Sequence, residues 1–346
     1  MYITMLLIIK KIINIIIVSL VIMSCSIANT VSYKTLSFQQ LYGWESANLV
    51  EPFNHYLDVI RNKTSRLPQH VKQALRNTNN RNNDSIKHFI ETYFEPILIT
   101  DSKAESLITG YHIFHAAADY QQSKQYSVPI YKKPATRKER HYTHKEILAG
   151  ALQDKGLEIA WLQDSIDIYL LMMQGSGVLS FPDGATKSVV YHGANGYKYQ
   201  SISQYMLDKK MITPEQRNGP YIKAYLKTDL ARASTIIEQN PSYVFFKFSN
   251  KEGFSGAAGT LLKEEVSLAL DKRYYPFHSL IWLETSLPNK TEAFRSLMVA
   301  QDTGGAIKGP QRADIFFGMH KDAEYTAGLM KDKNARLIML RLRNNG

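Results

Sequence analysis

One cysteine, Cys25, stands in a chain of 346 residues. A lone thiol excludes an intrachain disulfide framework and a multi-cysteine zinc site, so the folded state must rest on its own core. Long runs of one charge are missing too. Lys and Arg outnumber Asp and Glu by 42 to 31, a net charge of +11, yet no five basic residues stand together. A basic surface suits nucleic acid, anionic lipid or a carboxylate-bearing polymer. With neither a basic run nor a recognisable nucleic-acid module, nucleic acid is not an expected partner. No segment recurs at a fixed period, which excludes solenoids and propellers. The histidine pairs His112/His115 and His141/His144 do not form HExxH, so no metal site is expected. In GGAIKGP, Lys308 precedes Gly309 and Pro310 follows, so the lysine of a phosphate loop is misplaced. Gly175-Ser176-Gly177 lacks the GxSxG spacing of a nucleophile elbow. No cofactor is expected.

What is present is a large apolar fraction, 44%, with 21 tyrosines and 14 phenylalanines. That buries a sizeable core and suggests about two domains. At the N-terminus, Lys10 and Lys11 precede a mostly apolar stretch from Ile12 to Met23, then Ser24 and Cys25. The stretch falls short of the ~20 residues that span a bilayer, but it fits the apolar region of a signal peptide. Ile22-Met23-Ser24-Cys25 resembles the lipobox of bacterial lipoproteins, in which the cysteine becomes the lipidated N-terminus. By that analogy residues 1–24 are a signal peptide and Cys25 carries a lipid anchor. Ser26 in place of aspartate then points to the periplasmic face of the outer membrane.

Residues 37–94 carry helical spacing in PFNHYLDVIRNK and VKQALRN, interrupted by the asparagine-rich tract RNTNNRNNDS, which reads as a loop. From Ile97 short strand-like runs take over: PILITD, SLITGYHIF and QYSVPIYKK. HKEILAGALQDKG reads as a helix. DSIDIYLLMMQGSGVLSFPDGATKSVVYHG reads as three strands joined by Gly-Ser-Gly and Asp-Gly turns. Helical patterns return in SISQYMLDKK and DLARASTIIEQNP. Strands follow in SYVFFKF, VSLALD, SLIWLETS, FRSLMVAQD, RADIFFG and ARLIMLRLR. Many short strands with scattered glycine turns suggest a mainly β fold of barrels, with helices as packing.

Three aspartates break the strand pattern: Asp271, Asp302 and Asp314 each sit at or in an apolar run, where a carboxylate packs poorly. Any one of them could cap a turn or pair with a cation. Asp314, however, directly precedes Ile315, Phe316 and Phe317. An aspartate beside two phenylalanines would lose hydration, which favours the neutral acid. A neutral acid is what protonates a glycosidic oxygen.

VAQDTGGAIKGPQRADIFFG (299–318) closely resembles the signature of the MltA family of membrane-bound lytic murein transglycosylases. Asp271, Asp302 and Asp314 fall at the three aspartates of that family's C-terminal 3D domain. SLALDKRYYPFHSLIWLET matches the segment around the first. LITGYH (107–112), LQDSIDIYLLMMQGSG (162–177), GANGYKYQSIS (193–203) and QNPSYVFFK (239–247) resemble its other landmarks. The chain departs from the family where GYYEP is common, reading Gly110-Tyr111-His112-Ile113-Phe114. It also has one more residue than some relatives between the second and third aspartates.

The resemblance implies a double-psi β-barrel domain from residues 37–114 and 246–346, including the N-terminal helices. It implies a smaller β-domain inserted at 115–245, a connector at 25–36, and a groove between the domains. The implied reaction cleaves the β-1,4 bond between N-acetylmuramic acid and N-acetylglucosamine in peptidoglycan and leaves 1,6-anhydromuramic ends. Asp314 would act as acid and then base, with Asp302 as the supporting carboxylate at the catalytic centre. Thr109, Tyr111, Gln174, Gly175, Ser176, Gly177, Gly304 and Gly305 would line the groove, with Tyr111 stacking on a sugar. Asp271 and Asp167 would be structural. Implied partners are peptidoglycan strands, a membrane through the lipid on Cys25, and wall-synthesis or wall-remodelling proteins. Two other readings compete: a non-catalytic, expansin-like wall-binding protein, and a muramidase that uses water and a second carboxylate.

Overall fold

The computed structural model describes residues 30–61, 67–288 and 290–343. The leader, Cys25 and Ser26 lie outside the described residues, and with them the expected signal peptide and lipid anchor. No helix among the described residues is long and apolar enough to cross a membrane.

The strands are β1 (Val31–Thr35), β2 (Phe94–Asp101), β3 (Leu107–Tyr111), β4 (Phe114–Asp119), β5 (Val128–Tyr131), β6 (Glu158–Leu162), β7 (Ser176–Ser180), β8 (Thr186–Ala194), β9 (Val244–Ser249), β10 (Ser267–Leu270), β11 (Leu280–Ser286), β12 (Ala293–Asp302), β13 (Arg312–Phe316), β14 (Lys331–Asp332) and β15 (Arg336–Leu342). The helices are α1 (Val50–Ile60), α2 (Gln69–Asn77), α3 (Asn83–Tyr93), α4 (Arg137–Arg140), α5 (His144–Leu148), α6 (Ser165–Gln174), α7 (Ile202–Asp208), α8 (Gly219–Lys227), α9 (Leu230–Ile237) and α10 (Lys321–Leu329). They form a nine-stranded sheet in the order β1-β2-β15-β11-β12-β10-β13-β3-β14 and a six-stranded sheet in the order β5-β6-β4-β7-β8-β9.

Period-two geometry sorts the apolar runs of the larger sheet onto two cores. Leu280 and Trp282 of β11 face α1 and α3, where Phe53, Ile86 and Ile90 are buried. Trp44 meets Trp282 edge to face, with ring centroids 5.1 Å apart. Ile281 and Leu283 face the opposite core, which also holds Ile97 of β2, Leu268 of β10, Ile315 of β13 and Ile108 of β3. Residues from opposite ends of the strand order can share one core only if the sheet curls. Gln311 draws the curl together: its Nε2 donates to the carbonyls of Ile99 and Leu337, and its Oε1 accepts from the Leu337 amide at 2.9 Å. Among the described residues no ladder of strand pairs closes this sheet.

The six-stranded sheet has its own core, including Phe114, Leu162, Leu171, Val189 and Phe246. Two stretches of chain join it to the larger sheet, Tyr111–Phe114 and the segment from Ser249 to Ser267. Residues 31–35, expected within the connector 25–36, form a strand paired with β2.

The strand expected in DSIDIYLLMM is helix α6. Asp164 Oδ1 accepts from the amides of Ile166 and Asp167 at 2.9 and 3.0 Å, and Gly175, with φ +75°, ends the helix. An apolar run without gaps fits a buried helix as well as a buried strand, and these caps decide the matter. HKEILAGALQDKG is helical only over His144–Leu148, opened by a capping box between Thr143 and Glu146.

Candidate active site

The site is a row across the larger sheet. Asp302 of β12 and Asp314 of β13 are both registered with Ala269 of β10, and Asp314 is registered in turn with Thr109 of β3. Directly opposed residues share a face, so both carboxylates project over the small Ala269. Two strand spacings set their backbones about 10 Å apart. The same face carries the apolar cluster of Tyr111, Ile113, Phe254, Ala269, Ile307 and Phe316.

Asp314 is anchored through one oxygen. Its Oδ1 accepts from Thr109 Oγ1 and from Arg312 Nη1, while Arg312 Nη2 donates to Thr109 Oγ1 at 3.0 Å. The Asp314 and Arg312 side chains are 19% and 15% exposed, so this ion pair is well shielded from water. Among the described residues Oδ2 has no hydrogen-bond partner, which leaves it free for a ligand. The aromatic pair does not enclose the carboxylate as expected. Phe316 lies on its face and packs on Tyr111, with ring centroids 5.2 Å apart, while Phe317 belongs to the opposite core. Arg312 was missed in the sequence, although its place two residues before Asp314 on one strand puts both side chains on one face.

Asp302 is the other half of the site. Its Oδ1 accepts from the amides of Ala257 and Thr303 at 2.9 and 2.8 Å. Burial pushes its carboxyl above the ordinary aspartate range. Those two amides and the Tyr111 hydroxyl oppose the shift, and the charge of Asp314 adds to it. The loop that supplies the Ala257 amide lies tight on β12: a Cβ on Gly256 would sit 2.4 Å from the Gln301 carbonyl oxygen. The buried Gln301 side chain ties the same loop to α1. It accepts from Ser267 Oγ and His55 Nε2, both at 2.7 Å, and donates to Thr260 Oγ1 and the Leu261 carbonyl. Its own donors are spent on Thr260 and Leu261, so His55 must carry its proton on Nε2.

Tyr111 does not offer a sugar-stacking face. Its ring is buried against Phe316, and its buried hydroxyl, without a hydrogen bond of regular geometry, lies in the field of Asp302 and Asp314. Gly110 is small for a steric reason: a Cβ there would stand 2.6 Å from the Phe317 ring and 2.9 Å from Ala327 Cα of α10.

The second sheet meets this face through the QGSG segment. Gln174 Oε1 accepts from the His112 amide at 3.0 Å. Gly177 pairs with Phe114 so closely that a Cβ would lie 2.9 Å from the Phe114 carbonyl oxygen. Ser176 is opposite Val190, which packs against the Tyr111 cluster together with Val178. Gly305 faces open space, Gly304 lies against Ile307, and the left-handed residue of that loop is Gly309, with φ +106°.

Two of the expected residues lie elsewhere. Asp271 sits beyond the end of β10, bound to Arg273 at 2.5 Å and to the Gly309 amide at 2.9 Å, so it pins the loop between the two site aspartates. Asp167 is on α6, where Lys227 bridges it and Asp164 at 3.1 and 2.7 Å. The histidine pair His112/His115 is also divided: His112 Nδ1 meets the Ile113 carbonyl and His115 Nε2 the Met319 carbonyl. A cavity of about 780 Å³ opens beside Phe316, Phe254 and Leu262; neither Asp302 nor Asp314 lines it.

Residues 107–247 match the MltA specific insert domain, and residues 266–341 match the 3D domain. The chain belongs to the MltA family. It is 33% identical over 235 residues to membrane-bound lytic murein transglycosylase A of Escherichia coli K12, covering 66% of this chain and 64% of that protein. The Vibrio cholerae protein of the same name is 32% identical over 238 residues, covering 67% and 64%. The matched segment thus spans slightly under two thirds of these relatives. The fold is similar to that of a membrane-bound lytic murein transglycosylase from Agrobacterium tumefaciens, at TM-score 0.79 and 22% identity over 90% of this chain and 98% of the other. It is also similar to E. coli MltA with bound chitohexaose, at TM-score 0.72 and 27% identity over 84% and 89%. The MltA insert domain includes the six-stranded sheet and the crossing segment at Tyr111; the 3D domain carries Asp271, Asp302 and Asp314.

Proposed function

We propose that this chain is a peptidoglycan lytic transglycosylase, cleaving the β-1,4 bond between N-acetylmuramic acid and N-acetylglucosamine. The observation that carries the reading is Asp314, held through Oδ1 by Thr109 and Arg312 and open at Oδ2. With its proton on Oδ2, Asp314 protonates the glycosidic oxygen and the bond to C1 breaks. The C6 hydroxyl of the same sugar attacks C1 and passes its proton to Asp314, restoring the acid. No water is consumed, and the new end is a 1,6-anhydro ring. Asp302 supports the developing positive charge from the same face, and its two backbone amides fix its orientation.

Chitohexaose bound to E. coli MltA supports a glycan strand as ligand, and Thr109, Gln174, Ser176 and the Gly304-Gly305 turn are the groove contacts we assign to it. We assign the curled core around Ile281 and Ile315 to a double-psi barrel built from residues 37–114 and 246–346, with 115–245 inserted. We further infer a lipid anchor at Cys25 on the periplasmic face of the outer membrane, with wall-synthesis or wall-remodelling proteins as neighbours.

Two carboxylates on one row also suit a muramidase, whose acid and base stand ~6.5–9.5 Å apart with water between them. Digestion of purified sacculi, read by mass spectrometry, separates the readings. Anhydro-ended muropeptides from the wild type, and none from Asp314→Asn, support the transglycosylase. Hydrated reducing ends identify a muramidase. Sacculi bound but uncut by either protein identify a wall-binding module.

A further inference from the structure

The row that places Ser176 toward the site continues across the smaller sheet. Ser176 of β7 is registered with Val190 of β8, and Val190 with Lys247 of β9. Directly opposed residues share a face, and Val190 packs on the Tyr111 cluster, so Lys247 stands on the wall that faces the catalytic row. Its neighbours Phe246 and Phe248 turn the other way, into the core of that sheet.

Two further basic groups gather there. After Val190 a β-bulge between Tyr191 and Gly193 interrupts the pairing with β9, and His192 lies within it. The His192 ring accepts the Lys133 amide at Nδ1, 3.3 Å away. The Lys133 stem crosses Gly193, with Cδ 2.8 Å from where a Cβ would be, so a larger residue there would displace the lysine. Burial, then the charges of Lys247 and Lys133, lower the proton affinity of His192. Neither ammonium has an ion pair or hydrogen bond among the described residues, whereas Lys223, Lys227 and Lys263 are each paired with carboxylates. Like charges brought together without a counter-ion are repulsive unless a ligand supplies the opposite charge.

We propose that Lys247 and Lys133, with the His192 Nε2–H as a further donor, form the groove subsite for the carboxylates of the peptide stem on the muramic acid residue. The proposal rests on the reading above, which puts a glycan strand against Asp314, and it takes the stem of that strand to reach the wall that carries Lys247. Around the cavity beside Phe316 the cations are mostly matched already: Lys263 with Glu51, His320 with Glu264 and Lys290 with Glu265.

The test is a Lys133→Gln/Lys247→Gln double variant, assayed on glycan strands with their stems and on strands stripped by an amidase. Loss of one exposed and one half-buried charge contact is expected to raise KM on stem-bearing strands about tenfold, with kcat and stripped strands unchanged. Free stem tripeptide, titrated calorimetrically, should bind the wild type and lose about the same factor in the variant. An equal rise in KM on stripped strands, or no change on either, overturns the subsite. If the wild type cuts neither strand, the assigned activity falls, and the tripeptide titration alone then decides the subsite: binding lost in the variant upholds it, and binding unchanged or absent overturns it.

Discussion

Replacing Asp271 by asparagine removes one charge and almost no volume from the foundation of the site. The side chain is 2% exposed and accepts from Arg273 Nε at 3.0 Å, Arg273 Nη2 at 2.5 Å and the Gly309 amide at 2.9 Å. Burial alone would push this carboxyl up. The Arg273 side chain and the two backbone amides outweigh it and hold the group at about 2, against an ordinary 3.8. A difference of that size is a ceiling of about 2.5 kcal/mol. Arg273 itself is 62% exposed, so solvent screening brings the expected loss in Asp271→Asn to about 1–2 kcal/mol near neutral pH. Because the folded-state value is depressed, the stabilisation is present above about pH 4 and is lost as pH falls through about 2. Asparagine can still accept the Gly309 amide, so the variant retains the loop contact and lacks the pH dependence. Urea unfolding followed through Trp44 and Trp282, which pack on each other in this sheet's core, measures the gap between the two proteins. The gap should close as pH approaches about 2. A gap that persists there would mean that the loss is one of packing, and no gap near neutrality would mean that the ion pair is idle.

Other consequences follow from the same geometry. Asp302 is raised, so its charge costs stability once pH exceeds its folded value. Asp302→Asn should therefore raise Tm near neutral pH while lowering activity, and the Tm advantage should vanish in acid. Gly110→Ala forces a methyl group into the Phe317 ring and the α10 backbone and should cost about 1–3 kcal/mol by denaturant unfolding, whereas Gly305→Ala, facing open space, should stay within about 0.5. Arg312→Lys keeps a cation near Asp314 but loses the fork to Thr109; kcat should fall about tenfold or more with KM little changed in steady-state turnover.

Much of this fold is legible in the sequence, because SLIWLETS, FRSLMVAQD and ARLIMLRLR carry short apolar cores rich in strand-forming residues and bounded by polar ends, the pattern of strands buried on both faces. The aspartates are legible because a carboxylate in such a run needs a reason. What escapes is pairing at long range. Asp314 meets Thr109 only because β13 runs parallel to β3, across 205 residues of chain, and no local pattern encodes that register. Tyr111 reads as a groove aromatic because burial against Phe316 depends on the same pairing. Helix α6 escapes because its residues are apolar nearly all round, so the run carries neither period. The asparagine tract 76–85 is only partly a solvated loop: Asn82 caps α3 and Asn83 Oδ1 accepts the Leu49 amide, contacts that composition alone cannot show.

The central claim is that the sugar's own C6 hydroxyl, served by Asp314, replaces water. Digesting sacculi in isotopically heavy-oxygen water tests it most directly. The account predicts new muramic ends that are lighter than hydrolysis products by one water and carry no heavy oxygen, and no new ends with Asp314→Asn. Heavy oxygen at the new reducing ends, or undiminished cleavage by Asp314→Asn, would contradict it.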